Sequence, residues 1–317
     1  MSPSSPRPSM PRPSLAARIV RAEERFHTST AWSDAWYSFS FGPHYDPANT
    51  HHGCLLIHND ETLAPGTGFD LHPHRDSEII TWVLEGSLVH RDTSGNVGII
   101  RPGQVQRLSA GSGIEHSERN DPDPGATASQ GASVLPGASV RFLQMTVTPS
   151  STGAAPDYAQ ADVSTEIDSG NWMVLASGMA KHDATAAVSL RNTHAALHAA
   201  RPRAGTTLDL PSAPWVHLHV VRGTIALRVE AVAGDSGSGG ASGSGGASAG
   251  DGGASGDGGA SGDGGASGEL SGGDRLGGEI ELRAGDSVRL TGAGGSLTAG
   301  EDGAEVLAWE MHAGLWA

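Results

Sequence analysis

Short apolar runs cut by turn residues recur along most of this chain. Residues 36–41, WYSFSF, alternate aromatic and small side chains, the two-residue period of a strand with one buried face. Residues 55–57, LLI, resume a strand. Residues 79–84, IITWVL, are rich in β-formers, and Glu85-Gly86 breaks the run. Leu88-Val89 starts again; TSGN at 93–96, Pro102-Gly103 and GSG at 111–113 are further turns. This spacing predicts a meander of short antiparallel strands. Residues 140–147 read as the strand that completes the first unit, and residues 149–170 as loop. Residues 172–176 open a second half, with shorter strands at 186–190 and 208–210. Strands at 279–283, 287–290 and 305–311 close it.

The two halves resemble each other. WVLEGSL at 82–88 matches HVVRGTI at 219–225, and residues 101–118 match 283–300 without a gap. That pattern predicts a duplicated unit, each copy a small antiparallel barrel or jelly roll.

Candidate chemistry sits in the first copy. His72-Pro73-His74 and His116-Ser117-Glu118 each place two potential ligands two residues apart. Strand side chains alternate in direction, so positions i and i+2 share a face. The two pairs lie on different strands, which a closed barrel or sandwich would bring together. Three imidazoles and one carboxylate suit a first-row transition metal and leave two positions open on a six-coordinate ion. In the second copy the equivalent positions are Asp209, Pro211, Thr298 and Gly300, so that half is expected to carry no metal. His217 and His219 repeat the spacing but align with Ile80 and Trp82, not with the ligand pair. His44, His51 and His52 fall in a turn-rich segment and read as surface residues. Phe69, Trp82 and Leu84 read as core.

HPHRDSEIITWVLEGSLVHRD at 72–92, followed by PGQVQRLSAGSGIEHSE at 102–118 and preceded by DAWYSFSFGPHYDP at 34–47, resembles the pirin family. The resemblance implies an all-β bicupin, two antiparallel barrel or jelly-roll cupin domains in one chain. It implies iron, as Fe(2+), one ion per chain, with His72, His74, His116 and Glu118 as ligands. Glu118 would also be the catalytic base, while Glu78, at the position of the general cupin glutamate, supports the site at most. It further implies a quercetin 2,3-dioxygenase taking a small aromatic substrate and dioxygen. The alternative it carries is a non-enzymatic, iron-dependent redox regulator that binds a protein partner.

Composition adjusts this picture in four places. A formal charge of −15 argues against direct contact with nucleic acid, whose binding surfaces are basic. One cysteine, Cys54, excludes an intrachain disulfide and suits a reducing cytosol. No apolar run approaches a membrane span. Residues 1–15 read as a disordered Pro/Ser-rich tail with no secretory h-region. The expected division is a metal-binding cupin at 16–148 and a metal-free cupin at 149–317. The latter carries a Gly/Ser/Asp-rich disordered insert at about 234–277, where GDGGAS occurs three times in succession.

Overall fold

A computed structural model describes residues 16–121, 137–231, 269–271 and 278–315. The expected tail at 1–15, the connection at 122–136 and most of the Gly-rich insert lie outside the described residues. The N-terminal half runs through β1 (Ala16–Val20), β2 (Phe26–Ser29), β3 (Ser33–Tyr37), β4 (Leu55–Leu63), β5 (Gly68–His74) and β6 (Glu78–Glu85). It continues with β7 (Leu88–Asp92), β8 (Val97–Ile100), β9 (Gln104–Ser109), β10 (Ile114–Arg119), β11 (Val140–Val147) and β12 (Asp157–Asp162). The C-terminal half holds β13 (Met173–Ser177), β14 (Val188–Ser189), β15 (Ala195–Ala200), β16 (Thr207–Asp209) and β17 (Trp215–Ala231). β18 (Glu269–Ser271), β19 (Glu279–Arg283), β20 (Ser287–Thr291) and β21 (Ala293–Met311) complete it. Among the described residues the helical segments are short 3₁₀ turns, and the chain is all-β, as expected from its period-2 pattern.

Two sheets face each other in the N-terminal half. One has four strands, ordered β5-β10-β7-β8; the other has seven, ordered β12-β9-β6-β11-β4-β3-β2. Leu88 and Ile100 from the small sheet meet Leu63, Val83, Val140 and Phe142 from the large one. Alternation along β6 explains the arrangement. Val83 points into this inter-sheet core, while Ile80, Trp82 and Leu84 point outward into the core shared with the C-terminal half. There Trp82 packs with Trp309, Leu307 and Leu197, and its indole N–H donates to Glu305 Oε1 at 2.9 Å. Trp82 and Leu84 are thus core residues, as read from the sequence.

The nine strands of the C-terminal half and β1 form one ten-stranded sheet, folded over itself by two long strands, β17 and β21. Bulges in their pairing, between Val220/Arg222 and Gly223/Ile225, let each strand serve two sides of the barrel.

Four elements differ from the sequence reading. β3 stops at Tyr37, short of the expected strand to Phe41; beyond it Phe41 makes an isolated bridge to His44. The segment read as loop contains β12, which adds to β9 of the N-terminal half. Conversely, β1 pairs with β20 and β18 of the C-terminal sheet. Both pairings cross the division expected after residue 148. Finally, Glu269–Ser271, inside the expected insert, is itself a strand on β1.

Candidate metal centre

The register of one strand pair assembles the site. β5 and β10 are antiparallel neighbours with His116 opposite His72 and Ile114 opposite His74. The two ligand pairs therefore share one sheet as hydrogen-bonded neighbours; barrel closure is not what unites them. Directly opposed side chains sit about 5 Å apart, and i, i+2 partners share that face. Ring centroids lie 4.9 Å apart for His72–His74, 4.5 Å for His72–His116 and 4.8 Å for His74–His116. One ligand nitrogen from each of the three falls within 4.8 Å of the others. Close approach of the strands needs Gly68, where an added Cβ would sit 2.4 Å from the Glu118 carbonyl oxygen.

The nitrogens are prepared for an ion. His72 Nδ1 donates to the Asp70 carbonyl at 2.8 Å, which fixes the tautomer and frees Nε2. His74 Nε2 and His116 Nε2 are buried without a hydrogen-bond partner. An unpartnered buried nitrogen is costly, and two of them converging with a third imidazole fit a metal cation. Burial, then the neighbouring imidazoles, push His74 down to about 4 and His116 down to about 3. Both rings are neutral at physiological pH, the form that donates a lone pair.

Glu118 stands beside this triad rather than inside it. A bulge in β10 between His116 and Glu118 shifts the register against β5. Glu118 then faces His90 across β7, and its carboxylate converges with His90 and His116 within 4.8 Å. Gln144 Nε2 donates to Glu118 Oε2 at 2.6 Å and Thr81 Oγ1 to Oε1 at 3.4 Å. His116 is the common member of the two groups. Glu78 is in neither. It is fully buried, and its Oε2 accepts from Ser109 Oγ at 2.8 Å and from the Arg191 backbone N–H at 3.0 Å. That second bond ties the two halves together.

His90, Gln144, Thr81 and Glu61 join the site without being among the residues expected from the sequence. His90 Nδ1 lies 3.4 Å from His116 Nδ1, its Nε2 lies 3.3 Å from Asp92 Oδ2, and its ring stacks on Tyr158 at 4.9 Å. Its signal was available: in LVHRD it occupies the same face as Leu88. Glu61 is buried on β4 with Asn59 Nδ2 donating to Oε1 at 3.0 Å, while its Oε2 has no partner. Burial raises its carboxyl to about 7, against the Asn59 bond and with the help of Glu118. Its folded pKa lies above the unfolded value, so the cost of ionising it grows as pH rises from about 4.5 to 7. Glu61→Gln is therefore expected to stabilise the metal-free chain by about 1–3 kcal/mol at pH 8 and by little at pH 4.5. Urea unfolding at the two pH values reads the difference; equal shifts would contradict it.

The remaining candidates have other places. Phe69 is half-buried, edge-on to His72 at 6.3 Å. His51 is exposed. His44 stacks on Phe26, and His52 donates to the Leu290 carbonyl across the two halves at 3.1 Å; neither is a free surface group. His217 and His219 are fully buried against His58, with ring centroids 4.9 and 4.5 Å away, and belong to none of the converging ligand groups among the described residues. Solvent reaches the triad beside His74, which lines an open cleft of about 550 Å³ with Pro73, Arg75, Thr93 and Glu115.

Comparison with known proteins gives a consistent picture. The family model described as Pirin matches residues 19–145. A Mycobacterium tuberculosis protein named "Putative quercetin 2,3-dioxygenase" is 41% identical over 298 residues, covering 94% of this chain and 96% of its own. The Escherichia coli protein named quercetin 2,3-dioxygenase is 38% identical over 142 residues, 45% of this chain and 56% of its own. Among solved structures, an E. coli bacterial pirin in complex with nickel(II) superposes with a TM-score of 0.65 at 22% identity. It covers 94% of this chain and 99% of that one. At such identity the structural likeness speaks for the two-barrel fold.

Proposed function

This chain belongs to the pirin family, and we propose that it is a metal-dependent dioxygenase opening the ring of a flavonol such as quercetin. The metal would be held by His72, His74 and His116, with Glu118 as fourth ligand and base. The observation that carries this reading is the pair of buried, partnerless Nε2 atoms on His74 and His116, converging with His72. The relatives' names supply the substrate class and dioxygen. When bound, a divalent iron would supply a Lewis acid for the substrate hydroxyl and a redox partner for dioxygen.

The chain's own residues do the rest. Asp70 holds His72 in one tautomer. Gln144 and Thr81 donate to Glu118 and aim its carboxylate, leaving lone pairs to take the proton of a flavonol 3-hydroxyl. Glu61, with its raised carboxyl, stands close enough to Glu118 to feel its charge and can hold that proton near neutral pH. The cleft beside His74 gives a substrate its way to the site. A cytosolic setting accords with Cys54, which is free and buried, its thiol pushed up to about 11.

Glu118→Gln tests the role of the carboxylate. Quercetin turnover is expected to fall roughly 100-fold or more, the usual reach of a general base, while metal analysis still finds the ion on the three histidines. Turnover at the parent rate would overturn the role given to Glu118.

A further inference from the structure

A second group of ligand atoms converges in the C-terminal half. His198 lies on β15 and Glu310 on β21, with His198 opposite Ala308 and Ala196 opposite Glu310. Both side chains share the face of Ala200 and Ala308, which line the C-terminal barrel core. His182 closes the 3₁₀ turn Ala180–His182 and reaches the same point. One ligand atom each from His182, His198 and Glu310 lies within 4.8 Å of the others. His312, just past β21, places Nε2 2.7 Å from Glu310 Oε1, and His198 places Nε2 2.9 Å from Oε2.

A salt bridge alone accounts poorly for this group. Lys181, the only lysine in the chain, already pairs with Glu310 Oε1. One ammonium suffices for one carboxylate, yet three imidazoles converge on it as well. His182 makes no bond to Glu310; its Nδ1 lies 3.0 Å from Ser177 Oγ. Ligands about 2.0–2.2 Å from a tetrahedral ion stand roughly 3.3–3.6 Å from each other. The His198–Glu310 contact, at 2.9 Å, would open by about half an ångström to admit the ion.

We propose that the C-terminal half carries a second divalent-metal site, with His182, His198 and Glu310 as ligands and His312 as a hydrogen-bond partner that orients the Glu310 carboxylate. Two imidazole nitrogens and one carboxylate oxygen suit zinc or a similar first-row ion. Glu310 and His198 are buried, whereas the side chains of Lys181 and His312 are 52% and 34% exposed. The ion therefore enters at the barrel mouth as the lysine swings out to solvent. This site uses none of the positions equivalent to the first, at Asp209, Pro211, Thr298 and Gly300. For that reason comparison of the two sequence copies does not reveal it. Bound metal would clip the 3₁₀ turn to β15 and β21.

Cobalt(II) titration of the chelator-stripped full-length chain tests the proposal, read by stoichiometry and by the visible d–d band. Two ions per chain are expected for the parent. One is expected for His182→Ala, whose side chain sits on a surface turn, and one for the His74→Ala/His116→Ala double variant. Circular dichroism checks that each variant is folded, and Glu310→Gln serves as an independent second removal. One ion in the parent, two in both His182→Ala and Glu310→Gln, or none in the double variant would overturn it.

Discussion

Alanine at His116 removes metal and oxygen uptake together. His116 is the member common to both converging groups in the N-terminal half, and it is fully buried. Its Nε2 has no other partner, and its Nδ1 faces His90. Substitution takes one of three nitrogens from the ion and frees the ring that positions His90. Outer-shell changes alone cost about 10–100-fold in metal affinity, so loss of this ligand is expected to exceed ~100-fold. Equilibrium dialysis against iron or cobalt, read specifically for the first site, checks it. Undiminished occupancy in a folded His116→Ala chain would show that the ion is held elsewhere.

Mild acid weakens the contact between the two halves. His58, from β4, meets His217 and His219, from β17, in a cluster without solvent access. Burial pushes His58 down to about 3 and the other two well below the usual range. Arg25 and Arg289 add to the shift at His58, as do neighbouring imidazoles and Arg289 at His217 and His58, Arg25 and Arg141 at His219. The sign follows from proton uptake. The unfolded chain protonates these rings near pH 6.5 while the folded one does not, so stability is full above 6.5 and falls as pH drops below it. Between pH 7.5 and 5.5 each ring contributes a loss of about 1.4 kcal/mol, or about 4 kcal/mol for the three. Glu61 works in the opposite direction over the same interval, so the slope is best read as a difference between chains. His58→Leu is expected to flatten the fall by about 1.4 kcal/mol and to cost little at pH 7.5, because both His58 nitrogens lack partners. A pH dependence identical to the parent's would contradict the assignment.

The strands that were legible are runs of β-formers, whereas the alternating segment 36–41 leaves the strand at Tyr37. β6 and β11 carry β-branched and aromatic residues, and turn residues bound them. β15, AALHAA, was not legible: alanine has low strand propensity, and this strand is buried along its whole length. β1 and β12 could be seen as local elements at best, because their partners are set by contacts far away in sequence. The histidine pairs were visible through their period of two. Their meeting was not, since it depends on the β5–β10 register, and Glu118's displacement toward His90 depends on a bulge that no residue type announces. His58 was passed over because IHND reads as an ordinary strand; only packing of the two halves gives that histidine its surroundings. The same holds for His182, His198 and Glu310, which come from three separated segments.

Oxygen uptake on quercetin by the iron-loaded chain, run beside the His74→Ala/His116→Ala variant, decides whether the three-histidine centre carries the reaction. The parent is expected to consume dioxygen in step with loss of the flavonol, and the variant to consume none. Equal uptake by both chains, or no uptake by an iron-loaded parent, would contradict it.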